Sequence, residues 1–205
     1  MKICHLTSVH PRDDARVFHK QCKSLSEQGC ELTLVVADGL GDEKNNNIQI
    51  YDVGKSHKSR FFRFTKTTNA VYNKAKSLNV DLYHLHDPEL IPIGLILKML
   101  GKKVVFDAHE DYISIMSSKV WIHPLLRGLV SFFFSIFYNI VIKKMDGIVL
   151  AADTILLTNS KQLVFRNLTG VELNSSSFLK GREQNTILYT GGITKYRGIE
   201  QVLKA

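Results

Sequence analysis

Short apolar runs, separated by longer segments with helical periodicity, dominate the first 165 residues of the chain. Phe18 and Cys22 share the apolar face of a predicted helix between the first two runs. This helix is expected to begin after Asp13 or Asp14 as N-cap and to end at Gly29. Two strands joined by a helix form a right-handed parallel crossover, so the pattern predicts an α/β protein with a Rossmann-like, doubly wound, mostly parallel sheet. The predicted strands are residues 2–8, 32–37, 48–53, 81–85, 103–106, 147–151 and 162–165.

The middle of the chain continues this alternation. Residues 39–47 are polar and are predicted to form a loop, and a later helix is expected to run to about Leu78. Asp87 can act as an N-cap with Pro88 at the first helical position, and Gly101 closes that helix. Because no G-x-G-x-x-G motif follows the first strand, the sequence argues against a dinucleotide cofactor.

A long helix is predicted to begin at Pro124 and to include an uncharged stretch between Arg127 and Lys143. This stretch is rich in phenylalanine but is interrupted by polar residues such as Ser131 and Asn139. It falls short of the ~20 apolar residues that a membrane span needs. The sequence therefore favours a helix that is buried or lies on a membrane surface.

The composition changes after the last predicted strand. Residues 167–184 are rich in Ser, Asn and Gly and lack periodicity, which predicts a linker. A fresh strand and loop follow at residues 186–198. We therefore expect residues 1–166 to form one N-terminal domain and residues 185–205 to be the truncated beginning of a second.

Overall composition limits the class of protein. Of the 205 residues, 44% are hydrophobic, which is enough for a buried core. The formal net charge of +8 favours anionic partners, namely nucleotide phosphates, lipid head groups or nucleic acid, and charge alone does not choose among them. Cys4, Cys22 and Cys30 lack metal-ligand spacing and suit a reduced, cytosolic protein. The amino terminus contains no signal-peptide core, so a cytoplasmic location is expected.

Residues 55–66 interleave six basic or potentially basic side chains with three phenylalanines. Such a segment could press against anionic lipid. A helix with a solvated basic face and a buried phenylalanine face is the simpler interpretation, and it is favoured.

Histidines and carboxylates stand where two predicted strands end. His84 and His86 alternate along one strand and so point to one face, and His109, Glu110 and Asp111 follow the next strand. In an open parallel sheet, ligands bind beyond the carboxyl ends of the strands. These side chains are therefore candidates for a functional site.

Three interpretations of the cluster are open. A metallohydrolase site would use His84, His86, Asp87 and His109, but the other histidines show no companion spacing. Acid–base or hydrogen-bonding work on a polyhydroxylated substrate suits the same groups. In the third interpretation, His84 is packed in the sheet and Asp87 is only a helix cap. We favour this third interpretation for His84 and Asp87, and a functional role for His109 and Glu110.

Four segments together resemble the bacterial family 4 glycosyltransferases of the GT-B fold that assemble cell-surface polysaccharides. They are residues 6–20 (LTSVHPRDDARVFHK), 84–90 (HLHDPEL), 106–112 (FDAHEDY) and 189–199 (YTGGITKYRGI). The resemblance implies a two-domain transferase whose N-terminal Rossmann-like half binds the acceptor and whose C-terminal half binds a nucleotide sugar. The active site is then expected in the cleft between the halves.

The resemblance also implies roles for individual residues. His109 resembles the family's cleft histidine near the transferred sugar, and Glu110 beside it is the second catalytic candidate. The acceptor side of the cleft is expected to include His10, Asp13, Arg16, His86, Asp87 and Asp111. The donor-binding residues implied by the last segment are Gly191, Gly192 and Arg197.

Several partners follow from this resemblance. Fixed cations and helix N-termini can stabilise a departing nucleoside diphosphate, so we expect a metal-independent transferase with no cofactor beyond its nucleotide-sugar co-substrate. The expected acceptor is a glycan or a lipid-linked sugar, an anionic membrane surface is a further candidate partner, and no nucleic acid is expected.

The family's donor domain needs well over a hundred more residues, so the chain is expected to be inactive alone unless a second chain supplies that domain. The alternative is a non-catalytic module that binds a membrane surface or a partner.

Overall fold

The computed structural model describes residues 1–117, 122–153, 155, 161–166 and 199–204. The chain divides into two compact units, residues 1–168 and residues 169–205. The predicted linker and the strand and loop expected at residues 186–198 lie outside the described residues.

The first unit is built on one eight-stranded sheet. Across the sheet the strand order is β3-β4-β2-β1-β5-β6-β7-β8, and every neighbouring pair is parallel except β3 with β4. This confirms the predicted α/β fold with a doubly wound, mostly parallel sheet. The strands are β1 (Lys2–Leu6), β2 (Glu31–Val36), β3 (Glu43–Asn45), β4 (Ile48–Asp52), β5 (Leu82–Leu85), β6 (Lys103–Ala108), β7 (Gly147–Leu150) and β8 (Gln162–Val164).

Helices connect these strands. Helix α1 begins with a widened, π-helical segment (Ala15–Cys22) and continues as Lys23–Glu27, and α2 comprises Arg60–Phe62, a π-helical segment Arg63–Thr67 and Thr68–Ser77. A short 3₁₀ turn, Pro88–Leu90, leads into α3. The remaining helices are α3 (Ile91–Met99), α4 (Tyr112–Ser117), α5 (Pro124–Ile142) and, in the second unit, α6 (Ile199–Lys204).

The chain winds outward from β1 in both directions. It passes through α1 to β2 and then β4 on one side, and it returns to β5, β6 and β7 on the other. The strand order therefore reverses between β1 and β5. At such a reversal, a crevice opens beyond the carboxyl ends of the two strands.

The ends of α1 follow the sequence closely. The Asp14 carboxylate accepts hydrogen bonds from the backbone N–H groups of Arg16 and Val17, each at 2.8 Å, which confirms the predicted N-cap. Gly29 has a φ of +80°, a left-handed conformation that glycine adopts without steric cost. These two signals fix where α1 starts and stops, and hence which of its side chains face the sheet.

The two faces of the sheet bury different layers. Cys4 and Leu6 of β1 pack in a cluster that includes buried residues of α2, α3 and α5. Ile3 packs in a second cluster with Val17 and Phe18 of α1. Because side chains alternate along a strand, His5 projects to the same face as Ile3, beneath α1.

Two local predictions from the sequence are wrong. Residues 39–47 were expected to be loop, but they include β3, which forms a hairpin with β4 through Asn46 and Asn47 at φ 49° and 62°. Two consecutive residues with positive φ give the turn that joins antiparallel strands, and asparagine tolerates that conformation. The phenylalanines of residues 55–66 were expected to be buried, but Phe61, Phe62 and Phe64 are all exposed.

Helix α5 packs through one side only. Tyr138, Val141 and Ile142 are buried in the core, whereas the rest of the helix presents large apolar side chains to solvent. By length and composition alone, residues Leu125–Ile142 could cross a membrane, which corrects the prediction that the stretch is too short. The buried side of the helix is part of the core of the first unit. The exposed apolar residues of α5 are Leu125, Leu126, Leu129, Val130, Phe132, Phe133, Ile136, Phe137 and Ile140.

Candidate functional site

The candidate site is a rim of polar side chains at the carboxyl ends of β1, β5 and β6, where the strand order reverses. We call it the switch-point rim and define it by Thr7, Ser8, His10, Asp87 and His109. Parallel pairing sets its geometry, because His5 lies beside His84 in the register of β1 and β5. The residues that follow these strands therefore emerge side by side.

Asp87 is the acceptor at the centre of the rim. Its Oδ2 accepts hydrogen bonds from Thr7 Oγ1 at 2.8 Å and from the Ser8 backbone N–H at 2.6 Å. Its Oδ1 lies 3.0 Å from His10 Nδ1. Burial alone raises the pKa of this carboxyl, but the His10 partner and these hydrogen bonds outweigh burial and lower the pKa to about 2.

This arrangement corrects the interpretation of Asp87 as only a helix cap. Asp87 does occupy the N-cap position of the turn Pro88–Leu90, but its side chain makes no capping hydrogen bond. The carboxylate instead ties β5 to the loop after β1, which is about 80 residues away in sequence. Its role is to hold that loop and to pair with His10.

His10 is the partly exposed partner of Asp87. Burial lowers the pKa of this imidazole, but the hydrogen bond and charge of Asp87 outweigh burial and raise the pKa above its usual value. The His10 ring lies 5.0 Å from the His109 ring, centroid to centroid. A histidine–carboxylate pair therefore lies directly beside the predicted catalytic histidine.

His109 follows the end of β6 and is only slightly exposed. Its Nε2 is buried, has no hydrogen-bond partner among the described residues, and lies 4.0 Å from Asp107 Oδ2. Burial, chiefly, lowers the pKa of the His109 imidazole, which favours its neutral form. The His109 side chain is 14% exposed, and through that exposed part a neutral imidazole can contact a ligand hydroxyl.

Asp107 anchors the site from below and was missed in the sequence. It is fully buried. Its carboxylate accepts hydrogen bonds from Arg16 Nε at 3.0 Å and Arg16 Nη2 at 2.8 Å, and a short hydrogen bond from Gln21. His86 Nδ1 lies 3.6 Å from the same carboxylate. Burial opposes ionisation of Asp107, but His86 and Arg16 outweigh it and hold the pKa well below its usual range. The sequence did contain a signal for Asp107, namely a carboxylate that directly continues the apolar run leading to His109. The predicted strand, residues 103–106, ended one residue too early to include it.

Arg16 was expected in the open cleft, but the structure gives it an internal position. The side chain is 4% exposed. It pairs with Asp107, and its Nη1 donates a hydrogen bond to the Phe165 carbonyl at 2.7 Å. His86 is likewise fully buried, with Nε2 2.8 Å from His5 Nδ1. Both residues support the rim from within and do not face solvent.

The other predicted residues divide into three groups. Asp111 caps α4, because its carboxylate accepts the Ser114 backbone N–H at 3.1 Å, and Glu110 is exposed beside it. Asp13 is also exposed and lines a separate cavity of about 300 Å³ with Arg12. The donor-side candidates Gly191, Gly192 and Arg197 lie outside the described residues.

A polar chain links the rim to the basic segment. Ser8 Oγ donates to Glu89 Oε1 at 2.9 Å, and Arg63 Nε of α2 donates to the same oxygen at 2.6 Å. Arg63 is part of residues 55–66, the segment with exposed phenylalanines. The rim and that surface are therefore connected through one partly buried carboxylate, that of Glu89.

Among the described residues, two groups of three side chains have the spacing of metal ligands. One is His5, His84 and His86, and the other is His86, Asp107 and His109. The sequence had grouped His84, His86, Asp87 and His109, which the structure corrects, because Asp87 turns toward the β1 loop. It also gives His5 and His10 partners that sequence spacing did not reveal, since both pairings cross between strands.

The chain matches one family profile and the fold of several solved structures. The profile described as Glycosyltransferase Family 4 matches residues 15–155. Sucrose-phosphate synthase from Thermosynechococcus elongatus is similar in structure, with a TM-score of 0.57 and 10% identity, over 80% of this chain and 47% of that one. The E. coli structure described as trehalose-6-phosphate bound with UDP-2-fluoro glucose has a TM-score of 0.51 and 11% identity, over 76% of this chain and 41% of that one.

At these identities the likeness concerns the fold, which is that of the N-terminal half of GT-B enzymes. An alpha,alpha-trehalose-phosphate synthase (UDP-forming) from Burkholderia vietnamiensis gives the same result, with a TM-score of 0.50 and 12% identity over 75% of this chain and 40% of that one. The chain thus spans 40–47% of the length of these three proteins. No curated protein matches its sequence.

Proposed function

Because the chain belongs to glycosyltransferase family 4, we propose that residues 1–168 form the acceptor-side half of a sugar-transfer site. The reaction transfers a sugar from a nucleotide sugar to a hydroxyl group of a glycan or lipid-linked acceptor and releases a nucleoside diphosphate. The observation that carries this proposal is the position of His109, whose side chain is partly exposed and whose ring lies 5.0 Å from the His10 ring, where the strand order reverses. That is where an α/β sheet binds its ligands.

The rim suits a sugar ligand for chemical reasons. A sugar presents hydroxyl groups that both donate and accept hydrogen bonds, and neutral His109 offers a ring nitrogen for one of them. The adjacent His10 ring, whose pKa Asp87 raises, lies 5.0 Å from the His109 ring and offers a second imidazole to the sugar hydroxyl groups.

The donor side of the proposal rests on the family resemblance. Gly191, Gly192 and Arg197 would meet the diphosphate, with no metal and no cofactor beyond the nucleotide sugar. The E. coli structure holds UDP-2-fluoro glucose, so UDP-glucose is a reasonable first donor to try. A second chain that supplies the donor half is an equally acceptable form of the same enzyme.

We further propose that the protein works at the cytoplasmic face of a membrane, on a lipid-linked acceptor. Helix α5 exposes a continuous apolar side, and α2 exposes Phe61 and Phe64 among the basic side chains of residues 55–66. Anionic lipid matches both features, because its head groups attract the basic segment and its acyl region accepts apolar side chains. The net charge of +8 acts in the same direction.

Complementation with a donor half tests the transferase proposal. The chain is fused to the donor-binding half of the T. elongatus enzyme and mixed with radiolabelled UDP-glucose and a panel of polyprenyl-diphosphate-linked monosaccharides. We expect labelled lipid-linked product from the fusion and none from either half alone. A fusion that folds and binds UDP-glucose but transfers no sugar to any acceptor would count against the proposal.

Vesicle flotation tests the membrane proposal separately. The chain should float with phosphatidylglycerol vesicles and much less with phosphatidylcholine vesicles, and a Phe133→Ser and Phe137→Ser double variant should float less with both. Ile140→Ser changes a third exposed position on the same helix and should likewise reduce flotation. If the chain does not float with anionic vesicles, the membrane proposal is wrong while the transferase proposal is unaffected.

A further inference from the structure

Three histidines from the two central strands meet beneath α1, away from the solvent-facing part of the rim. His5 and His84 are register partners in β1 and β5, and His86 follows two residues after His84, immediately beyond the end of β5. All three side chains are buried, with ring centroids 4.7 to 5.1 Å apart. One ring nitrogen from each lies within 4.8 Å of the others.

The hydrogen bonding of this triad is incomplete. His5 Nδ1 and His86 Nε2 are 2.8 Å apart and share one hydrogen bond. His5 Nε2 and His84 Nε2 are buried and have no partner among the described residues. A buried polar atom without a partner costs free energy, so the unpartnered Nε2 of His84 beside the His5–His86 pair points to a ligand.

We propose that His5, His84 and His86 form a binding site for a divalent transition-metal ion, with zinc the best match. Imidazole nitrogen is a preferred zinc ligand, and three histidines with one solvent molecule form a known zinc coordination set. The ion replaces the hydrogen bond between His5 Nδ1 and His86 Nε2, and the ring that donated this bond carries its proton on its other nitrogen instead. This assignment differs from the expectation of a protein without metal, and it does not depend on the proposed transfer reaction.

Distances between the nitrogens are close to those that zinc requires. Tetrahedral ligands at about 2.05 Å from zinc stand roughly 3.3 Å apart. The His5–His86 pair must therefore open slightly from 2.8 Å, and the third nitrogen must move inward from its place within 4.8 Å. Both changes are within the reach of side-chain rotation.

The surroundings of the triad support a metal. His86 directs Nδ1 toward Asp107 at 3.6 Å, the carboxylate–histidine–metal arrangement that orients ligating imidazoles. His84 also lines a cavity of about 260 Å³ together with Gln21 and Phe165.

The alternative metal group, His86, Asp107 and His109, is less suitable. Asp107 already receives two hydrogen bonds from Arg16 and one from Gln21, so an ion would compete with a buried guanidinium. Among the residues that the structure describes, no cation is hydrogen-bonded to the histidine triad. Since the two groups share only His86, variants of His84 and His109 distinguish them.

Metal titration of the full chain provides the test. The protein is stripped with chelator and titrated by calorimetry with Zn²⁺, and with Co²⁺ for its visible absorption bands. We expect one equivalent of each ion and the intense absorption of tetrahedral cobalt. His84→Phe should weaken binding by more than the roughly 10–100-fold that loss of a supporting partner costs. His109→Phe and the exposed-site control His123→Ala should leave both affinity and stoichiometry unchanged.

Three outcomes would overturn the assignment: no binding by the unaltered chain, equal binding by His84→Phe, or loss of binding in His109→Phe alone. If His84→Phe does not fold, the unaltered chain labelled with ¹⁵N in its histidines decides. Zn²⁺ should then shift the ring-nitrogen signals of three buried histidines. Shifts confined to exposed histidines would contradict the proposal.

Discussion

At the switch-point rim, polar and charged side chains are buried, whereas on α5 large apolar side chains face solvent. The rim lies on Asp107 and Arg16, which are 0% and 4% exposed, and their mutual hydrogen bonds offset the cost of removing both charges from water. On α5, the exposed apolar side chains need no such pairing, and they gain hydrophobic free energy only when another surface covers them. The comparison shows two kinds of candidate functional surface: one rests on buried, paired polar side chains, and the other consists of exposed apolar side chains.

The largest expected effect comes from breaking the buried pair. Asp107→Asn removes the negative charge that neutralises Arg16, so we expect a loss of about 3–5 kcal/mol in the free energy of unfolding, measured with urea. The matched control is Asp153→Asn, which removes the partner of Arg166 in a pair that is more than half exposed. That variant should lose at most about 1 kcal/mol. Equal losses in the two variants would show that the rim does not depend on its buried carboxylate.

The next prediction uses two isoleucines of α5 that differ in burial. Ile142 is 1% exposed and Ile140 is 54% exposed. Ile142→Ala leaves a cavity in the core and should cost about 2–5 kcal/mol, whereas Ile140→Ala should change stability by no more than about 0.5 kcal/mol. Thermal or urea unfolding measures both. A large loss from Ile140→Ala would mean that the outer side of α5 is covered within the folded chain.

A smaller effect concerns the pH dependence of the rim. The pKa of His10 is higher in the folded chain than in the unfolded chain, because Asp87 partners its protonated form. Its contribution is therefore complete below the unfolded pKa and is lost as pH rises through the raised folded value. We expect His10→Gln to be destabilised by roughly 1 kcal/mol at mildly acidic pH and by less at pH 9, in urea unfolding. His19→Gln, at an exposed position on α1, is the control. A His10→Gln deficit that grows with pH would contradict the His10–Asp87 pairing.

Sequence patterns predicted the parts of the molecule that depend on local chemistry. The parallel strands follow from apolar runs, the start of α1 from the Asp14 cap, and its end from Gly29. Strand β3 was missed because it is short and polar, so its residues are ordered by the hairpin turn at Asn46 and Asn47 and not by burial.

The site was harder to predict because its contacts cross between strands. The sequence identified His109 as a residue beyond a strand end, but the pairing of Asp87 with Thr7 and Ser8 requires the register of β1 and β5. The same holds for Asp107 with Arg16, which are 91 residues apart. The exposure of Phe61 and Phe64 also could not be read from composition, since a phenylalanine-rich face is equally compatible with burial.

The central claim is that the switch-point rim, through His109, acts on the transferred sugar. The measurement that tests it most directly is kcat for sugar transfer by the complemented enzyme carrying His109→Ala, beside His123→Ala as an exposed-histidine control. We predict that His109→Ala lowers kcat by about 100-fold or more while circular dichroism and UDP-glucose binding are retained, and that His123→Ala transfers normally. Undiminished transfer by His109→Ala would contradict the account.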